Sequence, residues 1–227
     1  MTGIGMLGLA SLAFVGTHFF MSHPLRSAMV SALGERGFAI VYTIVSLLTF
    51  GWMIWAYPGA PAEAPQPLWD AGRWGYAIAT ILMWLGSVLF MGSLRRNPAF
   101  PRPGKQITHI DEPHGVYSIT RHPMMWGFAL WSATHAIVNP TRASLILCAA
   151  IAFLALVGAA LQDAKKEKLL GNVWREWRTK TSFIPYGRGL RSADAFALLF
   201  GTLLWLAASW AHGALGHRPA GVFAFFG

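Results

Sequence analysis

WGYAIATILMWLGSVLFMGSL, residues 74–94, decides the fold. The stretch carries no charged side chain and is followed at once by Arg95-Arg96. At about 1.5 Å per residue it makes a helix roughly 30 Å long, the thickness of a bilayer's hydrocarbon core. A helix also satisfies its own backbone hydrogen bonds where no water can. Five further apolar blocks of similar character follow the same reading. Spanning helices are therefore expected at about 3–21, 37–57, 74–94, 124–138, 143–161 and 193–211. The fold class is all-α, a polytopic membrane bundle of about six helices forming a single domain over 1–227.

Composition agrees: 55% of the chain is hydrophobic and 12% charged, against roughly 25% charged in soluble domains. The net charge of +9 is not a nucleic-acid footprint, because the Lys and Arg lie between apolar blocks and not along one face. Two of the eighteen follow the first helix, five the third and eight the fifth, whereas Arg73, Arg142 and Arg218 stand opposite. The positive-inside rule then puts both termini on the non-cytoplasmic side of a bacterial inner membrane. The first apolar block lacks a basic region before it and small residues after it, and reads as a retained helix. Residues 60–68, rich in Pro and Ala, read as an external connector. Lys165 to Arg178, with Leu169, Leu170, Trp174 and Trp177 among its charges, reads as a basic helix along the headgroups. Trp52, Trp55, Trp69, Trp74, Trp126 and Trp210 fall near helix ends, as an aromatic belt does.

Ionisable side chains within membrane helices are costly and mark candidate sites. His18 lies in the first helix and His135 in the fourth. Two imidazoles from facing helices can hold a haem iron; each can equally hydrogen-bond across helices. Arg121-His122-Pro123 stands where a basic loop enters the membrane. There a cation and an imidazole can grip an anionic group, or simply anchor a helix start. His109 and His114 around Asp111-Glu112 fit no standard metal spacing. His23, His212 and His217 read as interface residues, and the lone Cys148 as a buried structural thiol.

These residues, taken in order, resemble the NnrU family of bacterial membrane proteins associated with denitrification gene clusters. The resemblance rests on His18, on Leu33-Gly34-Glu35-Arg36-Gly37-Phe38 with Tyr42 and Ser46, and on the block Thr120 to Trp131 with His135. It continues through Gln162-Asp163, Trp174 and Thr181-Ser182-Phe183-Ile184-Pro185. More distantly the chain is similar to zeta-carotene isomerase, whose haem b sits between two histidines. His18 and His135 stand at the matching positions, so the resemblance implies that they ligate haem b. It also implies redox-linked, isomerase-like work on a lipophilic small molecule, or a part in nitric oxide or nitrite respiration. On the topology above, however, His18 lies near the cytoplasmic face and His135 about 16 Å into helix four. Helix one continues inward, helix four is displaced, or His122 replaces His135.

Two alternatives stand beside haem. The Arg-His-Pro block, the basic helix and Phe183-Ile184-Pro185 also resemble isoprenylcysteine and phospholipid methyltransferases, which bind S-adenosylmethionine. Arg121 and His122 would then hold that cofactor, although Gln162-Asp163 replaces the adjacent glutamates of those enzymes. The other alternative is a non-catalytic assembly factor. Beyond the lipid bilayer and haem, the sequence specifies no partner.

Overall fold

The computed structural model describes residues 3–60, 66–95 and 110–225. Eight α-helices are found among them: α1 Gly3–Ser22, α2 Arg26–Ala56, α3 Gly72–Ser93, α4 Val116–Ile119, α5 Pro123–Val138, α6 Arg142–Leu170, α7 Asn172–Lys180 and α8 Ala195–Ala214. A 3₁₀ turn, Val222–Phe225, follows α8. Helices α1, α2, α3, α6 and α8 are each long and apolar enough to cross a bilayer. The chain is a multi-pass helical membrane protein.

The fourth expected span, α5, is shorter at 16 residues, because it begins at Pro123 and does not extend back through Arg121-His122. Proline suits a first helical turn, where its missing N–H leaves no bond unmade. Two boundaries moved further. Residues 26–36, expected as a loop, are helical, and α2 breaks only at Gly34, whose φ of 71° lies in the left-handed region that glycine enters freely. Helix α6 runs nine residues past the apolar block ending at Leu161, and the basic helix expected over 165–178 is divided at Gly171, with φ of 54°.

The chain resolves into two compact units, each described by itself. One comprises Met1–Asp70 with Asn139–Leu154 and the other Ala71–Val138 with Ala155–Gly227, so α6 contributes a segment to each. In the first unit α1 packs on α2 around buried Leu7, Ala10 and Met53, with Phe14 and Phe50 rings 5.6 Å apart. Ile40, Leu47 and Leu48 of α2 stay 60%, 64% and 68% exposed, which suits lipid as solvent.

In the second unit α3 is the central helix, packed on α5 and α8. Small residues let the backbones approach: a Cβ on Gly127 would lie 3.0 Å from the Gly86 carbonyl oxygen, and one on Gly201 2.5 Å from Val88 Cα. Trp84 donates to Thr202 Oγ1 at 3.0 Å across the same α3–α8 contact. At one end of this unit, Val88, Leu89, Val116, Tyr117, Ile119, Trp174, Trp177 and Ala197 form a buried cluster. It seats α4 and α7 on the ends of α3 and α8.

Gly201→Ala should destabilise the protein by about 1–3 kcal/mol, since backbone must move to admit the methyl. Gly158→Ala, a helical site with nothing within 4 Å of the added carbon, should be neutral or slightly stabilising. Unfolding of the detergent-solubilised variants in a denaturing-detergent titration reads both.

Candidate functional site

The second unit brings three charged or titratable side chains together in its interior. Arg121 donates from Nε and Nη2 to Asp163 Oδ2 at 2.8 and 2.5 Å, and His122 Nε2 donates to Asp163 Oδ1 at 2.8 Å. The Arg121, His122 and Asp163 side chains are only 9%, 1% and 10% exposed. One carboxylate thus accepts three hydrogen bonds, and a carboxylate removed from water requires such partners.

Local folding explains the convergence. Thr120 at the end of α4 donates through Oγ1 to the carbonyl oxygens of Phe183 (2.6 Å) and Ser182 (3.2 Å). The Arg121 amide donates to the Ser182 carbonyl at 2.8 Å, the Tyr186 amide to that of Ile119 at 3.0 Å, and Trp126 Nε1 to that of Phe183 at 2.7 Å. Residues 119–126 are therefore strapped to 182–186, which fixes Arg121 and His122 before the side chains are considered. Continuation of α6 beyond Leu161 carries Asp163 into reach. Phe183 closes the site, its ring 5.3 Å from that of His122 and its face 5.5 Å from the Arg121 guanidinium. His122 Nδ1 is buried with no hydrogen-bond partner. Burial pushes the Tyr117 phenol up from its ordinary value, and its hydroxyl donates to the Ser93 carbonyl at 3.1 Å.

Beside the triad opens a pocket of about 750 Å³, lined by Arg121, Glu167, Arg175, Arg178, Phe183 and Arg188 among others. Glu167 accepts from Arg178 at 2.5 Å and lies 3.8 Å from Arg175, and Arg188 Nε donates to the Thr181 carbonyl at 3.0 Å. Nearby, Lys180 is held charged by Glu112 and Glu176, which raise its pKa from the ordinary value.

His18 belongs to the first unit and His135 to the second. Each donates from Nδ1 to the carbonyl four residues earlier, His18 to Phe14 at 2.7 Å and His135 to Trp131 at 2.8 Å. That bond fixes the tautomer and leaves the Nε2 lone pair available to a metal. Aromatic rings flank both: Phe14 and Tyr42 stand at 4.4 and 5.4 Å from His18, and Trp131 stacks at 4.0 Å on His135. Helix α1 ends at Ser22, four residues past His18, and α5 starts at Pro123, close to the expected boundaries.

Two side chains make contacts that the sequence did not give. Trp126, expected in the aromatic belt, ties the site loop together. His212, expected at an interface, has its ring 6.1 Å from that of His135 and the same bond from Nδ1, to the Ala208 carbonyl at 2.7 Å. His109 and part of the 60–68 connector lie outside the described residues. No group of three or more His, Cys, Asp or Glu is placed to hold a metal among the described residues. The sequence reading missed Asp163 as the partner of Arg121 and His122. The signal was present: an acid two residues beyond an apolar block demands a partner.

The sequence matches the family described as NnrU protein over residues 6–219. No curated protein and no solved structure matches it.

Replacing Asp163 by Leu should strand two buried groups and cost about 3–5 kcal/mol. Arg121→Met combined with Asp163→Leu should recover much of that loss, giving a strong coupling in a double-mutant cycle read by thermal unfolding in detergent.

Proposed function

Because this chain belongs to the NnrU family, with residues 6–219 matched, we propose that it is a haem b-binding protein of a bacterial inner membrane, serving nitric oxide or nitrite respiration. The observation that carries this reading is the state of its membrane histidines. His18 and His135 each have Nδ1 bonded to a helix carbonyl and Nε2 left as a ligand. A second partner on the far nitrogen fixes the ring and raises the basicity of the ligating one, as metal-bound histidines require. Each imidazole, taken by itself, is therefore suited to ligate a haem iron. Bound there, haem would supply a one-electron iron couple, which suits redox-dependent, isomerase-like chemistry on a lipophilic substrate. The chain's own contribution is to present neutral imidazoles and, through Phe14, Tyr42 and Trp131, to keep water from them. The positive-inside charge distribution supports termini outside and the Arg121–Asp163 end of the second unit toward the cytoplasm.

The histidine that the depth argument offered as a replacement ligand, His122, has its Nε2 engaged by Asp163. A different second imidazole has geometric support: His212, in the same unit as His135 and 6.1 Å from it ring to ring. The S-adenosylmethionine reading asks Arg121 and His122 to hold a cofactor, but both side chains are turned to Asp163. That leaves haem as the better supported cofactor.

Protein purified from haem-replete cells should show a low-spin b-type spectrum with sharp bands after dithionite reduction. His135→Ala should abolish it. Loss in His18→Ala and retention in His212→Ala would assign the pair as His18 and His135, and the opposite result would assign His135 and His212. A colourless wild-type protein would sink the haem reading, and a melting shift with S-adenosylmethionine would then put methyl transfer in its place.

A further inference from the structure

The arginine pocket of the second unit has no part in holding haem and has a chemistry of its own. Four arginines line it, Arg121, Arg175, Arg178 and Arg188, against a single acidic residue, Glu167. The Arg121 charge is balanced from behind by Asp163. Three cations then face one anion, an excess of two positive charges. Arg175 and Arg178 are accessible to a ligand, with side chains 58% and 42% exposed, and both pair with Glu167. Guanidinium forks match the oxygens of carboxylate and phosphoryl groups alike, and of the two a phosphoryl group, which can carry two negative charges, answers an excess of two positive charges.

The same segments carry apolar side chains that nothing in this unit covers. Leu169 follows Glu167 by two residues and is 64% exposed, Ile184 follows Phe183 and is 61% exposed, and Leu190 lies two residues past Arg188 at 90% exposed. A cationic pocket whose own segments also expose Leu and Ile to their surroundings has the amphiphilic character of the headgroup region, where cations meet phosphate and apolar side chains meet acyl chain.

We propose that the pocket lined by Arg175, Arg178 and Arg188 binds a phosphoryl group, presented at the bilayer surface by an anionic lipid. The three arginines neutralise the phosphate, Phe183 closes the inner wall, and Ile184 and Leu190 border the acyl chains. Asp163 has a positioning role here: by holding Arg121 it sets the floor of the pocket.

The test uses the full chain in neutral detergent, with unfolding followed by tryptophan fluorescence. The probes are dioctanoyl phosphatidic acid, dioctanoyl phosphatidylcholine, sodium pyrophosphate and S-adenosylmethionine. Phosphatidic acid should raise the melting temperature, and added salt should weaken the effect. An Arg178→Gln, Arg188→Gln double variant should need about tenfold more ligand for the same shift, two lost charge-assisted contacts being worth at least that. Arg142→Gln, which removes one positive charge elsewhere, should respond as wild type. An equal shift with pyrophosphate would make phosphate itself the recognised group and a soluble phosphate its source, while phosphatidic acid acting alone assigns the lipid. Equal shifts with phosphatidylcholine, an unchanged double variant, or a response to S-adenosylmethionine only would overturn the proposal. The haem spectrum of the double variant should remain that of wild type, so the two readings fail separately.

Discussion

A carboxylate withdrawn from water organises one end of the second unit. Asp163 accepts from Arg121 and His122, and without it a guanidinium and an imidazole would stand buried and unanswered. Meeting that demand requires α6 to outrun its apolar block, and requires residues 119–126 to lie against 182–186. The buried cluster of Val116, Ile119, Trp174 and Trp177 is the apolar counterpart of the same arrangement. Polar satisfaction and apolar burial specify one geometry here, since neither the strap nor the cluster forms without α4 and α7 in place.

Much of this architecture was legible in the sequence because lipid imposes a coarse code. A run such as 74–94 has few alternatives to a spanning helix, and the six apolar blocks reappear as α1, α2, α3, α5, α6 and α8. What composition could not convey was where polar helix continues past apolar helix. Residues 162–170 stay helical because nothing before Gly171 breaks them, and residues 26–36 are helical because only Gly34 interrupts. Hydropathy detects the solvent, and helix breakers set the ends.

The site was legible in part. Arg121 and His122 stood out by their place at a membrane entry, but what they face depends on a residue 42 positions away in sequence. A single sequence without that contact leaves an arginine free to be read as an anion grip. The structure gives it a carboxylate partner and transfers the open cationic character to Arg175, Arg178 and Arg188, which read from sequence only as a headgroup-facing helix and loop. His135 and His212 repeat the lesson. The sequence sets His135 beside His18 and leaves His212 at an interface, and only the packed unit brings the His135 and His212 rings to 6.1 Å.

The strap between Thr120 and the Ser182-Phe183 carbonyls has a consequence for the order of synthesis. It joins residues 62 and 63 apart, and the Arg121 pairing with Asp163 spans 42. A ribosome adding roughly 5–20 residues per second delivers Arg121 about 2–8 seconds before its aspartate. Throughout that interval the cation has water, headgroups or the insertion machinery for company, and none of its final neighbours. Helix α5 must therefore wait at the membrane surface by its charged end. Retiring that charge becomes possible only once translation has passed Phe183, while α8 has still to be made.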